Sequence, residues 1–152
     1  MASPTVLIVG NSTLELTMHM SVLPSAGQTV LDDGGLAYLP MGAGVEIASA
    51  FSALGARAVL LHKLGRDAHG KKLFDYYKSL GIDTSEIRVE TDVPTGCSVR
   101  WQLPAEEPRR VIYPGASAKI TEVNVREAFD AVRPDAVFLS FDAPLPDRKS
   151  VV

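Results

Sequence analysis

Two kinds of hydrophobic pattern run along this chain. The first is the continuous apolar run. Thr5-Val6-Leu7-Ile8-Val9, Ala58-Val59-Leu60-Leu61-His62 and Ala136-Val137-Phe138-Leu139-Ser140 have no polar alternation, as expected of parallel strands covered on both faces. The second is strict alternation. In residues 13–22, Leu14, Leu16, Met18 and Met20 fall on one side and Glu15, Thr17 and His19 on the other. Period two predicts a strand whose two faces meet different surroundings. Residues 29–39, 96–103 and 109–113 also read as strands of this second kind. The first of these is a weak strand pair or loop around Gly34-Gly35. The last two flank a polar, proline-bounded loop, Pro104 to Pro108, as a hairpin does.

Helical periodicity fills the intervals. Val45 to Leu54 is rich in small residues that let a helix lie close to a sheet, and Gly55 ends it. Ala68 to Leu80 places Leu73, Phe74, Tyr77 and Leu80 on one stripe, with Asp67 as N-cap and Gly81 as the stop. Residues 123–132 form a third helix, and residues 82–90 a further short strand. Pro24 to Gly27 is a turn. Core strands alternating with helices imply a parallel sheet between helical layers. The alternating strands imply a small antiparallel sheet beside it. The predicted architecture is a three-layer α/β core with a β lid built from insertions.

Composition narrows the chemistry. With 46% hydrophobic and 22% charged residues the chain is an ordinary globular sequence, long enough for one core. The net charge of -3 and the lack of a basic run beyond Arg109-Arg110 give no reason to expect nucleic acid or an anionic membrane. No apolar run approaches the roughly 20 residues that span a bilayer. The N-terminus has no signal-peptide pattern, so the expected location is cytoplasmic. One cysteine, Cys97, excludes an internal disulfide, and it reads as a packing thiol. His19, His62 and His69 lack metal-ligand spacing. His62 reads as a sheet histidine and His69 as a first-turn helix residue.

The candidate chemistry gathers at strand ends, where open α/β sheets bind ligands. Glu15 lies just past the first core strand and Asp142 just past the third; carboxylates there can accept hydrogen bonds from sugar hydroxyls. Gly42-Ala43-Gly44 begins a dinucleotide-type pattern, G-x-G-x-x-G/A, but Ile47 occupies its third position. The preceding Tyr38-Leu39-Pro40-Met41 does not read as a strand entering a tight turn. A nicotinamide-binding oxidoreductase is therefore a weak alternative, and these glycines serve equally well to permit a tight loop. Glu46, in the first helical turn, suits the macrodipole and would also reach a bound polyol. Arg100, Trp101, Arg109 and Arg110 form a basic-aromatic cluster in the hairpin, read as a lid face or a subunit contact.

These segments together resemble the N-terminal half of the PfkB/ribokinase family of carbohydrate kinases. Val6 to Gly10 followed by Glu15 is similar to the family's first strand and its substrate-binding acidic residue. Pro24 to Val30 is similar to P-x-x-G-E-T. Gly42 to Ala48 with Leu54-Gly55-Ala56 resembles G-G-x-x-A-N-x-A with L-G. Leu64 to Gly70 resembles G-x-D-x-x-G. Leu80 to Thr84, Pro94-Thr95-Gly96 and Tyr113 to Ala118 fall where the family has L-G-V-D-T, P-T-G and G-A-N/S-A. The sequence departs from the family at Met41, which replaces a glycine, at Glu46, which replaces a sugar-binding asparagine, and at Thr13, also an asparagine in many members. An amide replaced by a carboxylate loses a donor and gains charge, so altered selectivity is implied.

The resemblance implies a ribokinase-like three-layer α/β/α core, represented by its N-terminal half over residues 1–152, with lid strands near 13–39 and 96–113. It implies that Glu15, Gly42, Ala43, Glu46 and Asp142, with Thr13 as a further candidate, bind a sugar or related polyol. The intact enzyme would transfer the ATP γ-phosphoryl group to a hydroxyl of that acceptor with Mg2+. The family's G-A-G-D base motif, its N-x-x-E magnesium motif and its ATP-binding region do not occur here. The C-terminal ATP-binding half is thus expected to be absent, ATP and Mg2+ are not expected to bind this chain alone, and the chain is expected to be inactive as a kinase. A homodimer formed through the lid is also implied. The alternative is a non-catalytic binding or oligomerisation module derived from the same fold.

Overall fold

The computed structural model describes residues 3–140. Its first sheet is wholly parallel, in the order β5-β4-β1-β8, with β1 at Thr5–Val9, β4 at Arg57–Gly65, β5 at Ile87–Glu90 and β8 at Ala136–Leu139. Burial explains the unbroken apolar runs. Val6, Ile8, Leu60 and Leu64 face one helical layer, α1 (Ala43–Ala53) and α2 (Ala68–Ser79). They pack there with Val45, Ala48, Leu73 and Tyr77. Leu7, Val9, Val59 and Leu61 face the other side, against Ala128 of α3 (Glu122–Val132). The runs at residues 6–9 and 58–61 are apolar at every position because neither face meets water, whereas β8, at the edge of the sheet and expected to be covered on both faces, leaves Val137 and Leu139 exposed. The core is the expected ribokinase-like α/β/α arrangement.

Helix ends follow their local chemistry. Asp67 caps α2 by accepting the Gly70 N–H at 2.8 Å. Its other partners lie far along the chain: Thr95 donates to it from the backbone at 2.7 Å and from the hydroxyl at 2.8 Å. One carboxylate thus ties the start of α2 to the segment that leads into the second sheet.

That second sheet has the order β3-β2-β6-β7, with β2 at Thr13–His19, β3 at Leu36–Met41, β6 at Cys97–Gln102 and β7 at Arg109–Tyr113. It is mixed rather than wholly antiparallel, because β2 and β6 run parallel while β2–β3 and β6–β7 are antiparallel. Period two sorts its faces. Leu14, Leu16 and Met18 share a face with Val99, Trp101 and Val111; Glu15 and Thr17 share the opposite face with Ser98, Arg100 and Arg110. Leu14 is buried in the main core and anchors the lid to it.

Two further expectations are corrected. Residues 29–39 form no strand pair; a single strand covers Leu36–Met41 and runs directly into Gly42, the N-cap of α1. Pro40 is tolerated because β3 is an edge strand, where a missing N–H leaves no ladder bond unmade. Because β3 belongs to the lid and not to the parallel sheet, the glycine turn still lacks the setting of a dinucleotide fingerprint. Residues 82–90 are a strand only over Ile87–Glu90, with Asp83 making one isolated bridge to Val59. Asp142 lies outside the described residues.

Candidate functional site

The site lies where the two sheets diverge. After β1 the chain crosses Gly10-Asn11-Ser12 into the lid, and this crossing lies against the turn that opens α1. The backbones approach so closely that side chains do not fit. A Cβ on Gly10 would come within 2.7 Å of the Gly44 Cα, and one on Gly42 within 2.7 Å of the Asn11 oxygen. Gly42 also has φ 134, a conformation that favours glycine. The Gly44 N–H donates to the Asn11 carbonyl at 3.0 Å and locks the two segments together.

His62 supports the crossing from below. It is fully buried in β4, and its Nδ1 lies 3.0 Å from the Gly10 carbonyl. A carbonyl only accepts, so Nδ1 carries the proton in the neutral ring. Burial lowers the His62 pKa to about 4, against the opposing pull of hydrogen bonds to Gly10 and Ser12, so the imidazole is neutral near pH 7.

Above this floor is a cavity of about 610 Å³. Thr13, Glu15, Gly42, Ala43 and Glu46 all line it, so five of the six residues singled out in the sequence share one wall or another of a single space. Asn11, Ser98 and Arg110 line it too. The sequence reading did not place Asn11 or Ser98 there, and placed Arg110 only in the lid cluster.

Glu15 is the electrostatic centre. Its side chain is 2% exposed. A carboxylate at such depth needs partners. Oε2 accepts from Ser98 Oγ at 3.1 Å and pairs with Arg110 Nε at 2.8 Å; Oε1 accepts from Thr17 Oγ1 at 3.3 Å. Ser98 spends its one proton on Glu15, so Thr13, 3.1 Å away, donates to Ser98. A carboxylate accepts about four hydrogen bonds. Three positions are used, and the remaining one on Oε1 is suited to a hydroxyl. Glu46 differs: it is exposed, and its Oε1 accepts the Gly42 N–H at 3.3 Å, closing the turn at the helix start. Among the described residues no group of three His, Cys, Asp or Glu side chains could hold a metal ion. No described helix is long and apolar enough to cross a membrane.

The fold and cavity place the chain among known proteins. A family model described as pfkB family carbohydrate kinase matches residues 5–149, and the chain belongs to that family. It is 25% identical over 140 residues to the ribokinase of Bacillus subtilis, an alignment covering 91% of this chain and 47% of that protein. A shorter stretch of 60 residues is 33% identical to the 2-dehydro-3-deoxygluconokinase of Thermoproteus tenax, covering 39% of this chain and 18% of that protein. The structure of Arabidopsis thaliana ribokinase complexed with ribose and ATP superimposes with a TM-score of 0.80 at 21% identity, covering 93% of this chain and 46% of that one. The chain therefore spans about half the length of the full ribokinases it matches.

Proposed function

We propose that this chain forms the acceptor-binding half of an ATP-dependent sugar kinase. The observation that carries the reading is the Glu15 carboxylate, buried under the lid and held by Ser98, Thr17 and Arg110, with an accepting position left toward the cavity. In this reading Glu15 fixes the acceptor by one of its hydroxyls, and Thr13 sets the Glu15 rotamer through Ser98. The bare backbone at Gly42 and Ala43 lets a sugar ring approach the start of α1, beside Glu46. Asp142 is proposed as a further acceptor ligand. The lid excludes water, which would compete as an acceptor. In this reading the catalytic base and the ATP and Mg2+ sites belong to the half of the relatives that this chain does not span, so the chain alone binds acceptor and does not turn it over.

The test has two parts on the 152-residue chain. Calorimetric titration with D-ribose and related sugars is expected to show binding that Glu15→Ala removes. Incubation with ATP, Mg2+ and the same sugars is expected to yield no sugar phosphate. Sugar phosphate formed by the pure chain would overturn the half-enzyme assignment, and no binding by any sugar would overturn the acceptor site.

The outer lid face supports pairing of two copies. Leu36, Tyr38, Val111 and Tyr113 are large apolar residues exposed on that face. A homodimer through the lid would cover them, and sedimentation of Val111→Asp, expected to be monomeric, tests it. A second reading, an assembly module without catalysis, draws on β8. That strand is the edge of the parallel sheet, with Val137 and Leu139 exposed. A gene that ends at codon 152 would favour it; a downstream G-A-G-D segment would favour the kinase.

A further inference from the structure

The charges around the cavity do not cancel. Among the described residues its lining holds three charged side chains, Glu15, Glu46 and Arg110. Glu15 and Arg110 neutralise each other at 2.8 Å. Glu46 makes no ion pair among the described residues. The hydrogen bond it accepts, from the Gly42 N–H at 3.3 Å, folds its carboxylate back over the glycine turn that forms one wall of the cavity. The start of α1 offsets part of this charge, because a helix macrodipole amounts to roughly half an elementary charge at its N-terminus. About half a negative charge is left on that wall. No lysine or histidine among the described residues lines the cavity to balance it. A carboxylate also has no proton to give, only about four accepting positions, and Gly42 fills one of them.

We infer that the acceptor bound in this cavity carries an ammonium group, set against Glu46 at the start of α1. The inference rests on the acceptor-site reading above and narrows it to amino sugars or aminated polyols. An ammonium brings three donors and a full positive charge, which match a carboxylate with open accepting positions and no counter-ion. A hydroxyl would fill one of those positions and leave the charge in place. An anionic acceptor would meet the unpaired carboxylate and bind more weakly. The lid side of the cavity sets the direction of the ligand. Arg110 repels an ammonium there, so the nitrogen lies toward α1 and the hydroxyl taken by Glu15 lies toward the lid. Glu46 is then the residue that selects the acceptor, while Glu15 orients it.

The test is calorimetric titration of the 152-residue chain at about pH 6.5, below the ordinary range of an amine. The ligands share one carbon skeleton: D-glucosamine, D-glucose, N-acetyl-D-glucosamine and D-gluconate. D-Glucosamine is expected to bind about fivefold or more tighter than D-glucose, the scale of a partly solvated ion pair. N-Acetyl-D-glucosamine keeps the nitrogen without its charge and is expected to lose that gain; D-gluconate is expected to bind more weakly than D-glucose. Glu46→Gln still accepts from Gly42, so the turn should persist, and D-glucosamine should fall to within about twofold of D-glucose. Glu46→Lys is expected to favour D-gluconate. D-Glucose binding as tightly as D-glucosamine, or a preference that persists in Glu46→Gln, would overturn this inference and leave the acceptor site standing. D-Ribose binding with none of the four would do the same. D-Glucosamine binding that survives Glu15→Ala and is lost in Glu46→Gln would uphold the inference and remove Glu15 from the site. No binding by any of these sugars overturns both.

Discussion

Arg110 on the outermost lid strand reaches back to Glu15 on β2, Nε to carboxylate in 2.8 Å, and so closes the polar face of the lid over the cavity. The pair spans the sheet from its last strand to the strand that leaves the core. It couples lid geometry to the carboxylate proposed to bind an acceptor, so a change at either end is expected to register at both.

Glu15→Gln keeps the shape of the side chain but removes its charge. Arg110 loses its counter-ion and Ser98 a strong acceptor. We expect acceptor affinity to fall by about tenfold to a hundredfold and stability by about 1–2 kcal/mol, since hydrogen bonds to charged groups contribute roughly 1.5–3 kcal/mol and the amide retains part of that. Calorimetric titration and denaturant unfolding of the same sample check the two numbers. An affinity equal to wild type would remove Glu15 from the site.

Gly42→Ala places a methyl group 2.7 Å from the Asn11 carbonyl on a residue with φ 134. Both effects oppose the native turn, and the expected cost is about 1–3 kcal/mol. Urea unfolding should show a lower midpoint with an unchanged slope.

Asp67 should make the fold sensitive to acid. Burial works to raise its pKa, but hydrogen bonds from the Thr95 and Gly70 backbones and the Thr95 hydroxyl, with the nearby His69, outweigh burial and hold it below its ordinary value. The folded pKa is the lower one, so the stabilisation is present above the unfolded carboxylate pKa, about 4, and is lost as pH falls through the folded value. Asp67→Asn is expected to be less stable than wild type at pH 7 and to lose less stability between pH 5 and 2. Parallel acid-to-neutral stability profiles for the two proteins would contradict this.

His62 acts in a different window. Its folded pKa of about 4 lies below the ordinary 6.5 because burial disfavours the charged ring. Between those values the unfolded chain binds more protons, so stability rises with pH across that range and is flat above it. Denaturation midpoints measured from pH 4 to 7 should rise, and His62→Gln should flatten the rise. Nitrogen chemical shifts are expected to show a neutral ring protonated on Nδ1 at pH 6; an imidazolium signal there would sink the assignment.

Much of this was legible in the chain before folding. The unbroken run at Thr5–Val9 announces a strand covered on both sides, and the alternation of Leu14 and Leu16 with Glu15 and Thr17 announces a strand between core and cavity. Asp67 as a cap follows from its place before an amphipathic helix. Glu15, Gly42, Ala43 and Glu46 could be chosen because their motifs resemble a family's, and the structure does bring them to one cavity. The reading of residues 29–39 failed because β3 contains Pro40 and lacks alternation of its own; its strand character comes from pairing with β2.

What the tertiary structure alone decided is who stands next to Glu15. Period two assigns a side chain to a face, but not to a neighbouring strand or a register. Ser98 is 83 residues away in sequence, and it meets Glu15 because β6 docks parallel to β2 in one particular register. The antiparallel return of β7 then puts Arg110 opposite Arg100 and within reach of the same carboxylate. Those pairings are selected by the burial of Leu14 and its core neighbours at the base of the lid, a many-body packing effect that no local pattern encodes.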